Sequence, residues 1–144
     1  MKKHLFVLML MTTALLPRGG RAQANGAAVL ANIQRRLTWR TPIDSVQQLA
    51  GALDQLRAQK PNPYLSYWGA FAHYHLYFRH GKDKQRAEAA LIKGIELLED
   101  IPTKTAEHHA LLSLMQGLNL EFANFLTISF KAGTVKENAE KALP

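Results

Sequence analysis

Apolar residues recur every three and four positions along most of this sequence, and that spacing limits the folds open to it. It places apolar side chains on one stripe of an α-helix, whereas the alternation typical of a half-buried β-strand is almost absent. Prolines and glycines interrupt the pattern at intervals that suit helical hairpins. The sequence therefore predicts an all-α fold of antiparallel hairpins with five to six helices.

Local signals set the predicted helix boundaries. Thr41 and Pro42 are typical of a helix start, because threonine caps free backbone N–H groups and proline fits the first helical position. Asn62 and Pro63 form a second start of the same kind. The first four predicted helices cover residues 27–38, 41–60, 63–80 and about 84–100. A fifth is predicted from residue 105 through Phe125 and Leu126, and residues 135–143 are predicted to form a short sixth helix or a frayed end.

The first 24 residues have the pattern of a Sec-type signal peptide. Lys2 and Lys3 precede an apolar stretch of 12 residues, Leu5 to Leu16, and Ala22-Gln-Ala24 is a small-x-small cleavage site. Twelve helical residues span about 18 Å, which is short of the roughly 30 Å hydrocarbon core of a bilayer. We therefore expect cleavage near Ala24 and a periplasmic or secreted mature protein without a stable membrane span. Its helical domain is predicted over residues 25–130, and residues 131–144 are predicted to form a polar tail or a partial helix.

Charge and cysteine content exclude several classes of function. The chain has 18 Lys plus Arg against 11 Asp plus Glu, but four of the cations lie in the first 24 residues. The remaining 14 against 11 leave too little positive charge to predict a nucleic-acid partner, because such binding depends on clustered cations. The absence of cysteine excludes disulfides, thiolate catalysis and Cys-ligated metal centres.

The third predicted helix has Trp68, Phe71, Ala72 and His75, and the fourth has Ala87, Leu91 and Gly94. In the spacing of these residues the two helices resemble one degenerate tetratricopeptide repeat, a 34-residue helix–turn–helix unit. Small residues occur where the two helices of such a repeat approach closely, and large residues occur on the first helix. Through the segments Asn62-Pro-Tyr-Leu-Ser-Tyr-Trp68 and Thr105-Ala-Glu-His-His-Ala-Leu-Leu, the run from Pro63 to Phe122 is also similar to a group of exported bacterial helical-repeat proteins that mostly lack an assigned activity.

The resemblance implies a scaffold of stacked helical hairpins. Proteins of that group generally continue into another helix pair, so the resemblance also implies a chain that is short at its C-terminus. A helical repeat array without a polar capping helix exposes an apolar end. We therefore expect an exposed apolar edge near Leu118, Phe122, Phe125 and Phe130.

The leading functional interpretation is a non-enzymatic protein-interaction module of the cell envelope, acting on another protein or peptide without a cofactor. Tyr67, Tyr74 and Tyr77 are the predicted partner-binding residues, because they lie on the side of the third helix away from Trp68 and Phe71. No nucleophile motif, phosphate-binding loop or carboxylate pair predicts catalysis. The oligomeric state is left open.

The alternative interpretation is a small periplasmic protein that binds a metal or another ligand through histidines. His73 and His80 are seven residues apart and share a face of the predicted helix, whereas His73 and His75 are two apart and point to different faces. A site across helices would need His73 or His75 together with Glu107 and His108. The sequence lacks the His-Glu-x-x-His zinc motif, and we predict no metal-binding residues from it.

Overall fold

The computed structural model describes residues 31–33 and 35–143, and these residues form helices and connections with no strand among them. The all-α prediction is confirmed for this part of the chain. The proposed signal peptide and residues 27–30 of the first predicted helix lie outside the described residues. Five α-helices follow the helical residues 31–33 and 35–36: α1 (Ile43–Gln59), α2 (Pro63–His80), α3 (Lys84–Glu99), α4 (Ala106–Asn119) and α5 (Phe125–Lys141).

The connection before α1 corrects the prediction for Thr41. Its hydroxyl accepts a hydrogen bond from the backbone N–H of Thr38 at 3.1 Å and donates one to the carbonyl of Arg36. The hydroxyl therefore closes the turn behind it, and the N-cap position of α1 is occupied by Pro42 without a side-chain cap. The same turn ends the preceding helical stretch at Arg36, two residues before the predicted end at Thr38.

The starts of α2 and α3 follow the capping signals in the sequence. Asn62 accepts a hydrogen bond from the backbone N–H of Tyr64 at 2.8 Å, which confirms its predicted role. Asp83 accepts one from the backbone N–H of Arg86 at 3.1 Å. The short connection between α2 and α3 makes them an antiparallel hairpin, and this is the most extensively packed pair of helices.

The main core lies between α2, α3 and α4. Its apolar side chains come mostly from α3 and α4, while α2 contributes a small residue that allows close approach. A Cβ added to Gly94 of α3 would overlap the end of the Met115 side chain and lie 3.3 Å from the carbonyl oxygen of Ala70. The core residues are Ala70, Leu91, Leu97, Leu98, Ile101, Leu111, Leu112 and Met115.

The chain after residue 119 differs from the prediction. Phe125 and Leu126 were expected on the same helix as Leu111 and Met115, but α4 ends at Asn119 and is followed by a 3₁₀ turn, Leu120–Phe122. Asn124 then caps a new helix, because its side chain accepts from the backbone N–H of Thr127 at 2.9 Å. Helix α5 continues to Lys141, so the predicted boundary at residue 130 falls inside it.

Polar side chains hold α5 against α4. The buried Asn138 donates to Gln116 Oε1 at 3.0 Å, and its own Oδ1 lies 2.8 Å from His109 Nδ1. Ser113 donates to the carbonyl of Val135 at 3.0 Å. Hydrogen bonds from Asn138 and Ser113 therefore link the inner face of α5 to α4.

Candidate aromatic binding surface

One face of α2 carries aromatic rings along most of its length. The rings recur at spacings of three and four residues, which align along a helix. Phe71 lies between two tyrosines, with ring centroids 6.3 Å from Tyr67 and 6.0 Å from Tyr74, and both pairs are stacked. We call this stripe the aromatic ridge: Tyr64, Tyr67, Trp68, Phe71, Tyr74 and Phe78, together with Trp39, which joins it from the preceding connection.

Trp39 extends the ridge at the C-terminal end of α2. Its ring stacks on His75 with a centroid distance of 4.4 Å and meets Phe78 edge-on at 5.4 Å. Arg79 fixes the connection by donating to the carbonyl of Thr38 at 3.4 Å and to the carbonyl of Trp39 itself. Trp39 nevertheless stays 57% exposed and Phe78 45% exposed. This end of the ridge is an apolar surface that faces solvent.

Contacts with α4 define the other side of the ridge. Tyr67, near the start of α2, meets His108 near the start of α4 with centroids 5.6 Å apart. Tyr77, near the end of α2, meets Phe122 just beyond α4 at 6.5 Å and donates its hydroxyl hydrogen to Glu121 at 3.1 Å. Helices α2 and α4 therefore run in the same direction, and α3 runs between them in the opposite direction.

The three tyrosines predicted to bind a partner are partly buried. Tyr67, Tyr74 and Tyr77 pack against the core, and Phe71 packs there with them. The sequence prediction separated Phe71 from the tyrosines, but the structure stacks it between two of them. Burial raises the pKa of the Tyr67 phenol, and Glu107 raises it further. Burial and the hydrogen bond to Glu121 likewise raise the pKa of Tyr77, so both phenols stay neutral near pH 7.

The residues matched to the repeat divide into two groups. Ala72, His75, Ala87, Leu91 and Gly94 are buried in the helix contacts, whereas Trp68 and Phe71 are half-buried in the ridge. The exposed rings of the ridge are Trp39, Tyr64 and Phe78, and none of them is among the partner-binding residues predicted from the sequence. The connection that contains Trp39 packs against Arg79 and His75 of α2. No local sequence motif predicts the contact between Trp39 and α2.

The histidines are placed in separate environments. Burial lowers the pKa of His73, whose two ring nitrogens have no hydrogen-bond partner, and Lys93 lowers it further while Asp54 opposes the shift. Burial and then Arg79 lower the pKa of His75. Burial is also the main cause of the lowered pKa of His108.

His108 has a structural role at the start of α4. Its Nδ1 accepts a hydrogen bond from the backbone N–H of Thr105 at 2.9 Å. That bond uses one of the two ring nitrogens of His108. No group of three or more His, Asp or Glu side chains within residues 31–33 and 35–143 is arranged to hold a metal ion.

Comparisons with models of protein families, with curated proteins and with solved structures give no match for this chain. Across the described part of the chain, no helix has the length and apolar character needed to cross a bilayer.

Proposed function

We propose that this protein is a non-enzymatic interaction module that binds a segment of another protein on the aromatic ridge. The observation that carries the proposal is the exposed Trp39, which is held on α2 by stacking on His75 and by hydrogen bonds from Arg79. Tryptophan and tyrosine are typical binding anchors, because they offer a large apolar area and lose little conformational freedom. A fixed ring also avoids part of the ordering cost of association.

The proposed framework is a tetratricopeptide-like arrangement in which α2 and α3 form one repeat unit. Gly94 supports it, because a Cβ there would lie 3.3 Å from the carbonyl oxygen of Ala70 in α2, so the two helices approach closely. The common direction of α2 and α4 supports it as well, since stacked hairpins place their first helices side by side. The leader-like residues 1–24 support a place in the periplasm or outside the cell.

A peptide-display selection against the purified protein tests the proposal. Selected peptides should contain apolar or aromatic anchors, and Trp39→Ala should weaken their binding about tenfold or more, as expected for a central anchor. Ile92→Ala is the matched control, because Ile92 is an exposed apolar residue of α3 outside the ridge. Selected peptides that bind equally well to wild type and Trp39→Ala, or lose affinity equally with Ile92→Ala, would contradict the proposal.

A further inference from the structure

The first half of α5 exposes large apolar side chains that nothing in the described chain covers. Phe125, Leu126 and Phe130 are 81%, 72% and 84% exposed. The opposite face of the helix is the one attached to α4 through Asn138 and Val135. The expected apolar edge thus lies on α5, because Leu118 and Phe122 are partly buried against the core.

Small residues accompany the large ones on this outward face. At about 100° per residue, Ser129 and Gly133 fall on the same side of α5 as Leu126 and Phe130. A Cβ added to Gly133 would meet nothing within 4 Å, so this position is an open notch in the helix surface. We call the surface formed by Phe125, Leu126, Ser129, Phe130 and Gly133 the α5 face.

The charge distribution on α5 does not favour a charged partner for the α5 face. The α5 face contains no ionisable residue. The charges that follow it are paired within α5, with Lys136 Nζ 3.7 Å from Glu140 Oε1 and Lys141 Nζ 2.6 Å from Glu137 Oε1. An apolar, uncharged partner surface is therefore the complementary one.

We propose that the α5 face binds the α5 face of a second copy of this chain, with the two helices antiparallel about a twofold axis. In that arrangement Leu126 of each copy packs into the notch at Gly133 of the other, and each Phe130 lies beside Ser129 of the other. The surface is thus self-complementary, as a twofold interface requires. Small residues at the crossing allow the two helices to approach closely.

The available area agrees with a weak dimer. An aromatic side chain buries about 150–250 Å², so the two phenylalanines and Leu126 offer on the order of 400 Å² per copy. Two copies then bury roughly 800 Å², which is below the about 1,000 Å² of a stable specific interface and falls in the range of weak, transient ones. We therefore expect a reversible dimer that dissociates on dilution.

Analytical ultracentrifugation tests the proposal at protein concentrations of roughly 1–200 μM, a range that covers weak association. The protein is expressed from its full sequence and purified in the form that the cell yields. Wild type should pass from monomer to dimer, and Leu126→Asp should weaken dimerisation about tenfold or more, as expected for a central apolar contact. Leu143→Asp is the matched control, because Leu143 is 71% exposed but lies beyond α5. Gly133→Gln should also prevent dimerisation, because the glutamine side chain fills the notch that Leu126 of the other copy would occupy. The variant should not destabilise the monomer, since glutamine is a better helix former than glycine and position 133 has open space around it.

Cysteine cross-linking tests the antiparallel geometry, since the chain has no cysteine of its own. Ser129→Cys should form a disulfide-linked dimer readily. Lys141→Cys should not, because antiparallel helices place the two copies of that residue about 35 Å apart. A wild type that stays monomeric throughout the range would overturn the proposal, as would equal effects of Leu126→Asp and Leu143→Asp, or efficient cross-linking through Lys141→Cys.

Discussion

Replacing Gly94 by alanine tests the close approach of α3 to α2 and α4. Alanine favours a helix interior by about 1 kcal/mol over glycine. At position 94, however, the new methyl group would overlap the end of the buried Met115 side chain and lie 3.3 Å from the carbonyl of Ala70. Overpacking of a core typically costs about 1–3 kcal/mol. We therefore expect Gly94→Ala to lower the free energy of unfolding by up to about 2 kcal/mol, measured by urea denaturation.

Gly51→Ala in α1 is the matched control, because a Cβ at Gly51 meets nothing within 4 Å. It should stabilise the protein by about 1 kcal/mol, so the two variants should differ by about 1–3 kcal/mol. Met115→Leu shortens the side chain that the methyl group would meet, and it should recover part of the loss in the Gly94→Ala background while costing less than about 1.5 kcal/mol alone. Equal stabilisation by both alanines, or no coupling between positions 94 and 115, would refute the packing account.

Three further predictions concern pH, capping and export. Burial lowers the pKa of His73 and His75 in the folded protein, so the unfolded chain binds protons first as the pH falls. The free energy of unfolding should therefore be constant above about pH 6.5 and decrease as the pH drops towards the lower folded-state pKa values. A urea midpoint that does not change between about pH 7.5 and 5 would contradict this prediction. Asn124→Ala removes the acceptor of the Thr127 N–H and should lower stability by about 1 kcal/mol in a thermal melt, whereas an unchanged melting temperature would show that the cap is not needed. N-terminal sequencing of the protein from a periplasmic fraction should begin near Asn25, and a retained Met1 would argue against cleavage.

The helices could be predicted from the sequence where periodicity and capping agree. Asn62 before Pro63 gave the start of α2 because one side chain satisfies a backbone N–H that the helix leaves free. The same reasoning was wrong at Thr41, whose hydroxyl bonds to residues before it. It also missed the break before α5, because apolar spacing continues through Phe125 while Asn124 starts a new helix.

The candidate site was less accessible to sequence reasoning. The aromatic stripe of α2 follows from helical spacing, but the degree of exposure depends on what packs beside it. Tyr67 and Tyr74 lie against the core, while Trp39 reaches the ridge from the connection before α1, where its ring stacks on His75 and Arg79 donates to the carbonyl of Thr38. Long-range contacts of this kind leave no periodic signal in a single sequence.

Fluorescence of Trp39 is the most direct measurement of the proposed binding surface. Trp39 and Trp68 are the two tryptophans of the chain, so Trp68→Phe leaves Trp39 as the single reporter. Titration of this variant with a display-selected peptide should shift the Trp39 emission to shorter wavelength in a saturable manner, because the exposed ring becomes buried at the interface. Saturable peptide binding without any change in the Trp39 emission would place the binding site elsewhere and contradict the account.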